Sequence, residues 1–240
     1  MKITVIYDND YKSIDYKSVQ FILKQIKSNG INTIVNEFTI ANDFNSCFWD
    51  CYSECKYYCS YKDEIEDCPY FKIVKNLAHN LNNSDLIILA SCSSQHNIGS
   101  NMYKVLQNLS YKWMPHKHNN FMINKIALAV SNTTSFAIFP HASMTLSRVL
   151  RVWGINKHSI FSKSLSKYNS DNLTQKDYLK LTSELTQLTS KIVHKYRQTS
   201  AIIFPDFKNE NKAPKQRPKT NSFNKKNHIK KIPLSKTSID

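Results

Sequence analysis

Short apolar runs alternate along this chain with longer segments in which apolar residues recur every three or four positions. Runs of this kind are typical of strands, and the longer spacing is typical of amphipathic helices. The clearest run, 85–90, is the kind of strand that lies at the centre of a parallel sheet with both faces covered. The pattern predicts strands at 2–7, 32–36, 85–90, 125–130 and near Ser159, and helices at 19–26 (closed by Gly30), 71–81, 101–109, 142–153 and 175–196.

The regular alternation of strand and helix predicts an α/β fold. Consecutive parallel strands need crossover connections, and right-handed crossovers place helices on both faces of the sheet. We therefore expect a flavodoxin-like, doubly wound, five-stranded parallel sheet in a three-layer α/β/α arrangement. Ligands of such folds bind beyond the carboxyl ends of the strands, which makes the loops 8–17, 91–100 and 131–141 the candidate binding loops.

The helical and strand periodicity stops at about Ala201. From Lys208 onward the chain consists mostly of Lys, Asn, Pro and Ser, with very few large apolar residues. Such a segment buries too little apolar surface to offset the entropy lost on ordering. We predict one domain over 1–200, with a cysteine-rich insertion at 47–68, and a disordered basic tail over 201–240.

The net charge of +15 comes from 33 Lys and Arg residues against 18 Asp and Glu residues. From Pro205 onward there are ten basic residues and three acidic ones, so the tail holds nearly half of the excess. A basic tail can attract nucleic acid without sequence preference, in a salt-sensitive manner. The segment 212–231 has only Phe223 to stack on a base, which disfavours nucleic-acid binding. Compositional drift toward Lys and Asn is the simpler explanation of the positive net charge.

The first residues and the cysteine count indicate a compartment. The chain turns polar after six residues, unlike a signal peptide, and it has no apolar stretch near the roughly 18 residues of a membrane span. We therefore expect a cytoplasmic protein that does not enter the membrane. In a reducing compartment the six cysteines are expected to be free thiols, metal ligands or redox groups instead of disulfides.

Four of these cysteines, Cys47, Cys51, Cys55 and Cys59, recur every four residues. On a helix they would form one stripe too long for all four thiols to reach a single ion. In a loop, three of them together with Cys68 could ligate zinc or an iron–sulfur cluster. Packed or free thiols are favoured because the usual two-residue spacing is missing, and we assign no metal ligands. A redox dithiol also remains open.

Five motifs stand in a consistent order between Cys47 and Trp153. They are Cys68-Pro-Tyr70, the run 84–91, Asn97-Ile-Gly-Ser100 leading to 109–114, the run 124–131, and Val152-Trp-Gly-Ile155. In this order they resemble the flavodoxin-like NAD(P)H-dependent FMN reductases, in particular the branch with a cysteine-rich segment that is similar to iron–sulfur flavoproteins. The resemblance covers nearly half of the chain.

The resemblance implies a homodimer that binds FMN across the three candidate loops and uses NAD(P)H to reduce a flavin, a quinone or another small acceptor. The flavin carries the hydride chemistry in such enzymes, so no catalytic side chain is assigned. The implied FMN contacts are Asn9, Lys12, Ser13 and Ser18 near the phosphate, and Ser91, Cys92, Ser93, Ser94, Asn97, Thr133 and Thr134 near the ring.

All three loops depart from the pattern of that family. The first has Tyr7-Asp-Asn-Asp10 in place of a glycine-containing turn, and its carboxylates would repel a phosphate, although Lys12 and Lys17 are near. The second, 91–94, lacks the family's proline and tyrosine, and the third, 132–137, lacks glycine. The alternative is therefore a non-enzymatic binding protein that has lost FMN and uses its basic tail for a protein or polyanion partner.

Overall fold

Strands and helices alternate five times in the computed structural model, which describes residues 1–8, 13–40, 69–91, 98–110, 122–133, 141–164 and 175–203. The predicted alternation is confirmed. The strands are β1 (Lys2–Tyr7), β2 (Ile34–Thr39), β3 (Leu86–Ala90), β4 (Ile126–Thr133) and β5 (Lys157–Ser164). The helices are α1 (Ile14–Ser28), α2 (Pro69–Asn83), α3 (Ser100–Ser110), α4 (His141–Val152) and α5 (Gln175–Ile203).

The five strands form one sheet in the order β2-β1-β3-β4-β5, and every pairing is parallel. This is the flavodoxin-like order. From β1 the chain first adds β2 on one side, then crosses over and adds β3, β4 and β5 in turn on the other side of β1. The expected doubly wound five-stranded sheet is therefore confirmed.

The central strand β3 explains the three layers. Every residue of β3 is buried, and because side chains alternate between the faces of a strand, its residues belong to two cores. Ile87 and Leu89 pack with α2, α3 and α4 on one face. Leu86 and Ile88 pack with α1 and α5 on the other face. The three-layer α/β/α arrangement follows from this double burial.

Two glycines end helices as the sequence predicted. Gly30 follows α1 with φ of 76°, and Gly154 follows α4 with φ of 85°. Both lie in the left-handed region that glycine adopts most easily. At α4, the amide of Gly154 donates to Arg151 O at 2.9 Å and the amide of Ile155 donates to Leu150 O at 2.9 Å, the pair of bonds that defines a Schellman ending.

A buried lysine joins α2 to β4 at the amino end of the sheet. Lys125 is 7% exposed, and its Nζ donates to Asn82 O at 2.7 Å and to Ser84 O at 2.6 Å. These carbonyls lie at the end of α2 and directly after it, where a helix leaves its last acceptors without internal partners. Burial lowers the pKa of Lys125, and the nearby Asp85 carboxylate opposes that shift.

Helix α5 is the longest of the described elements, with 29 residues, and packs beside α1. Arg197 of α5 donates to Asn29 O at the end of α1 at 3.1 Å. The helix continues to Ile203, three residues into the segment for which we predict a basic tail. The rest of that tail and the cysteines of the segment 47–68 lie outside the described residues, so both remain predictions.

Two features are absent from the described residues. None of the helices in the described part of the chain is long and apolar enough to cross a membrane. Within the same residues, no group of three or more His, Cys, Asp or Glu side chains could hold a metal ion.

Candidate functional site

The carboxyl ends of β1, β3 and β4 meet at one edge of the sheet. Tyr7 pairs with Ala90, and Ala90 pairs with Val130, so the residues that follow these three strands are neighbours. This edge contains the switch point between β1 and β3, where open α/β sheets bind their ligands. We call this region the carboxyl edge and define it by the five residues whose contacts follow. They are Asp8, Asp15, Ser91, Gly99 and Asn132.

Asp8 connects the loop after β1 to the loop after β3 through hydrogen bonds. Its Oδ2 accepts hydrogen bonds from Ser91 Oγ at 2.6 Å and from the Gly99 amide at 2.8 Å, and its own amide donates to Ala90 O at 2.9 Å. The residue is 8% exposed. A Cβ on Gly99 would lie 2.5 Å from Asp8 Oδ2, closer than non-bonded atoms approach. The carboxylate therefore holds its position because residue 99 is glycine.

A second carboxylate fastens the start of α1 to the end of β4. Asp15 lies in the first turn of α1, and its Oδ1 accepts from the Asn132 amide at 2.9 Å and from Asn132 Nδ2 at 2.6 Å. Asp15 is 2% exposed and Asn132 is fully buried. Among the described residues, Asn132 Oδ1 has no hydrogen-bond partner. An acceptor atom is thus left unsatisfied beside a buried carboxylate.

The helix α1 begins with its own cap. Ser13 is the N-cap residue, and its hydroxyl oxygen accepts from the Tyr16 amide at 3.1 Å. This bond satisfies one of the amides that a helix N-terminus otherwise offers to a ligand. One turn further, Ser18 Oγ donates to Ile14 O at 2.9 Å and the residue is 3% exposed, so its hydroxyl is used within the helix.

Four of the eleven predicted flavin contacts fall within the described residues. The structure places Ser91 at the carboxyl edge, Ser13 at the N-cap of α1, Ser18 within α1, and Thr133 at the end of β4. It brings Ser91 together with Asp8 and leaves Ser18 inside its helix. The other candidates, Asn9, Lys12, Cys92, Ser93, Ser94, Asn97 and Thr134, lie outside the described residues.

Sequence reasoning missed the pairing of Asp15 with Asn132. An acidic residue in the first turn of a helix is common because it favours the helix dipole, so Asp15 gives no special signal. The two residues are 117 positions apart, and no local pattern connects them. Burial alone distinguishes this carboxylate from an ordinary one on a helix surface.

The strand order, with β1, β3 and β4 meeting at the carboxyl edge, is that of a flavodoxin-like α/β protein. Among solved structures, the chain is similar to an FMN-dependent NADH-azoreductase from Bacillus anthracis str. Ames Ancestor, solved in complex with FMN. The TM-score is 0.58 at 10% identity, over 80% of this chain and 100% of that chain. The predicted resemblance to NAD(P)H-dependent FMN reductases is confirmed at the level of the fold.

Two further structures have the same kind of similarity. An NADH:FMN oxidoreductase called EMOB, in its apo form, aligns with a TM-score of 0.53 at 14% identity, over 79% of this chain and 89% of that chain. FerB, a flavoenzyme NAD(P)H:(acceptor) oxidoreductase from Paracoccus denitrificans, aligns with a TM-score of 0.53 at 12% identity, over 82% of this chain and 98% of that chain. No protein-family model and no curated protein matches the sequence.

The phosphate of FMN does not fit the described residues at the carboxyl edge. A phosphate needs free N–H or cationic donors, which helix N-termini commonly supply. Here the Tyr16 amide is bonded to Ser13 and the Gly99 amide is bonded to Asp8. Asn132 Oδ1 is a buried acceptor without a hydrogen-bond partner among the described residues, and a phosphate oxygen cannot donate to it at neutral pH. The Tyr16 and Gly99 amides are thus used by the protein's own side chains and are not available to a phosphate.

Proposed function

We propose that this protein is an NAD(P)H-dependent flavin oxidoreductase that reduces a flavin, a quinone or another small acceptor. The observation that carries the proposal is the meeting of β1, β3 and β4 at the carboxyl edge, at the switch point of a flavodoxin-like sheet. A flavin bound there would supply the hydride chemistry, and the protein would supply binding and orientation.

The activities of the proteins with similar structures support this proposal. One is an FMN-dependent NADH-azoreductase, one is an NADH:FMN oxidoreductase and one is a flavoenzyme that uses NAD(P)H. Three flavin enzymes on one fold make a flavin the first ligand to test, with FMN as the reference compound. Because function lives in the site and not in the fold, the test must be made on this chain.

The experiment measures binding and turnover on the purified full chain. We expect flavin absorption bands in the isolated protein, or saturable quenching of added flavin fluorescence, and oxidation of NADH or NADPH when a flavin and a quinone are supplied. Ser91→Ala should weaken flavin binding by about fivefold or more, since it removes the hydroxyl that orients Asp8.

Ser190→Ala is the matched control for that variant. Ser190 lies on an exposed part of α5 and its hydroxyl donates within the helix, so its loss should leave binding and turnover unchanged. Failure of the wild-type protein to bind any flavin, together with no oxidation of NADH or NADPH, would contradict the proposal. The alternative of a non-enzymatic binding protein would then take its place.

The finer features of the proposal rest on the resemblance. We propose a homodimer, a cytoplasmic location and a disordered basic tail, with no membrane partner and no nucleic-acid partner. A molecular mass in solution of twice 27.9 kDa would support the dimer. Metal analysis of the purified protein would test the cysteine segment 47–68, for which packed or free thiols are the expectation and zinc or an iron–sulfur cluster is the alternative.

A further inference from the structure

The three helices on one face of the sheet contain no acidic residue. Helices α2, α3 and α4 have neither Asp nor Glu, whereas α1 and α5 on the opposite face each contain acidic residues. The absence extends over the whole sequence 86–170, which holds nine Lys and Arg residues. At the overall frequency of 18 acidic residues in 240, a stretch of this length would contain about six. A general gain of Lys adds cations but does not remove acids, so it does not explain this asymmetry.

One side of α4 is exposed and combines apolar with cationic side chains. Met144, Arg148, Arg151 and Val152 follow one another at helical spacing, which places them on the same side of the helix. Met144 is 45% exposed, Val152 is 44% exposed, and both arginines are exposed. The buried residues of α4 lie on the opposite side of the helix, against the sheet. The two apolar side chains are therefore not part of the core.

The edge strand β5 extends this surface. His158 Nε2 lies 2.9 Å from Ser147 Oγ of α4, so the strand and the helix are in contact. His158 and Ile160 point to the same face of the sheet, because alternate residues of a strand share a face. Their partners on β4, Ala127 and Ala129, pack in the core beneath α2, α3 and α4. Ile160 is 46% exposed and so adds a third exposed apolar side chain beside α4.

The arginines of this surface have no partner of opposite charge. Within the described part of the chain, neither Arg148 nor Arg151 makes a hydrogen bond or an ion pair. A guanidinium presents a planar set of donors that matches a carboxylate or a phosphate. Since α2, α3 and α4 contain no carboxylate, the complementary charge has to come from another molecule.

The apolar side chains decide between two kinds of anionic partner. A nucleic acid would offer phosphates to the arginines, but aliphatic groups such as those of Met144, Val152 and Ile160 do not stack on bases as aromatic rings do. Protein interfaces are enriched in Met and Arg and surround an apolar centre with a polar rim. The same surface on a second copy is a poor fit, because a two-fold interface would bring arginines against arginines. A different, acidic protein fits best.

We propose that this surface is a docking site for a protein partner that presents carboxylates around an apolar centre. We call it the α4 face and define it by Met144, Arg148, Arg151, Val152 and Ile160. The arginines would pair with the carboxylates of the partner, and the three apolar side chains would be buried between them. This inference goes beyond the proposed flavin chemistry and does not depend on it.

The test measures binding of three labelled probes to the full chain by fluorescence anisotropy at moderate salt. The probes are an amphipathic helical peptide with Glu and Leu along one side, polyglutamate of the same net charge, and a single-stranded DNA oligonucleotide. The basic tail attracts all three, so the readout is the change caused by a substitution. Arg148→Gln combined with Arg151→Gln should weaken binding of the peptide by about tenfold or more.

Lys24→Gln combined with Lys27→Gln is the matched control. These two exposed cations of α1 are also three positions apart, and they lie on the opposite face of the sheet. Their removal changes the net charge by the same amount and should leave peptide binding nearly unchanged. Equal losses in the two double variants would overturn the inference, because binding would then follow the total charge and not the α4 face.

A second double variant tests the apolar part of the α4 face. Met144→Gln combined with Ile160→Thr keeps every charge and should weaken binding of the amphipathic peptide by severalfold, while binding of polyglutamate stays the same. Equal binding of the peptide to this variant and to the wild type would overturn the inference. So would a larger loss of affinity for the oligonucleotide than for the peptide when the arginines are replaced, since the surface would then bind nucleic acid.

The oligomeric state checks the remaining occupant. The wild type and the variant with Met144→Gln and Ile160→Thr should have the same molecular mass in solution. A mass that falls by half in the variant would overturn the inference, because a second copy would then cover the α4 face. Flavin binding is measured separately and should be the same in every variant, so failure of this inference leaves the proposed function standing.

Discussion

The carboxylate of Asp8 lies against the backbone of Gly99, which donates to its Oδ2 at 2.8 Å and has no Cβ to displace it. The two residues are 91 positions apart and belong to loops that follow different strands. Their contact requires an acid at one position and the smallest residue at the other. The pair can therefore be tested from both sides.

Gly99→Ala should destabilise the protein by roughly 1–3 kcal/mol, because the new Cβ would lie 2.5 Å from Asp8 Oδ2 and the carboxylate would have to move. Asp8→Ala alone should cost about 1–3 kcal/mol, since it leaves the buried Ser91 hydroxyl and the half-buried Gly99 amide without their acceptor. In the double variant the Cβ of residue 99 has room. The loss of stability in the double variant should therefore be well below the sum of the two single losses. Urea unfolding measures all three, and additive costs would contradict the contact.

Asn132→Ala should lower the free energy of unfolding by about 2 kcal/mol, because the buried Asp15 carboxylate would lose the side-chain amide that donates to it at 2.6 Å. Asp15 would still accept from the amide of residue 132. Asn80→Ala is the comparison, since its side chain donates within α2 on an exposed surface and its loss should cost less than about 0.5 kcal/mol. Equal effects in chemical denaturation would show that the Asp15 contact has no special weight.

In the wild type, Lys125 should make the free energy of unfolding rise with pH in the alkaline range, and Lys125→Met should remove that rise. Burial holds the pKa of Lys125 in the folded protein below its usual value near 10.5, so between those two values the unfolded chain binds more protons than the folded one. Stability contributed by this group is therefore complete above the unfolded pKa and falls as pH drops through the folded pKa. The wild type should gain stability relative to the variant as pH rises toward 10.5.

Methionine is a suitable replacement because it keeps the length and apolar stem of lysine and cannot ionise. It also cannot donate to the two carbonyls that Lys125 bonds, which should cost about 1–3 kcal/mol at every pH. The measurement is urea unfolding of both proteins over the alkaline range. A difference between them that stays constant with pH would contradict the predicted shift.

Gly154→Ala should destabilise the protein by about 1–2 kcal/mol, because residue 154 has φ of 85° and an L side chain is strained there. Gly154→Asn should cost less, since asparagine tolerates this region better than alanine. Nothing lies within 4 Å of the position where a Cβ would be, so the cost reports the backbone and not a clash. Thermal unfolding of the two variants gives the ranking, and an alanine variant as stable as the wild type would contradict it.

The core of the fold could be predicted because its signals are local. The run that forms β3 is apolar at every position, which is expected only where both faces of a strand are covered. The limits of β2 were less accurate: the pattern predicted 32–36 and the strand is Ile34–Thr39. β2 is an edge strand with polar and exposed positions such as Ile34 and Glu37, so no continuous apolar run marks its ends.

The candidate site could be predicted only in its location. The loops after β1, β3 and β4 follow from the fold class, and Ser91 directly follows β3, while its contact with a flavin stays a prediction. The pairs Asp8 with Gly99 and Asp15 with Asn132 join residues about half a chain apart or less, through side-chain contacts that no periodicity encodes. Such contacts become visible only when the strands that carry them are side by side.

Helix α5 is longer than the sheet it covers. At about 1.5 Å per residue its 29 residues extend over roughly 40 Å, about twice the length of the six-residue strand β1. Among its side chains whose burial is described, the buried ones lie between Leu185 and Val193, whereas Tyr178 and Leu179 near its start are exposed. Protection from hydrogen exchange should therefore be concentrated in the middle of α5, and its first turns should open by fraying long before the sheet unfolds.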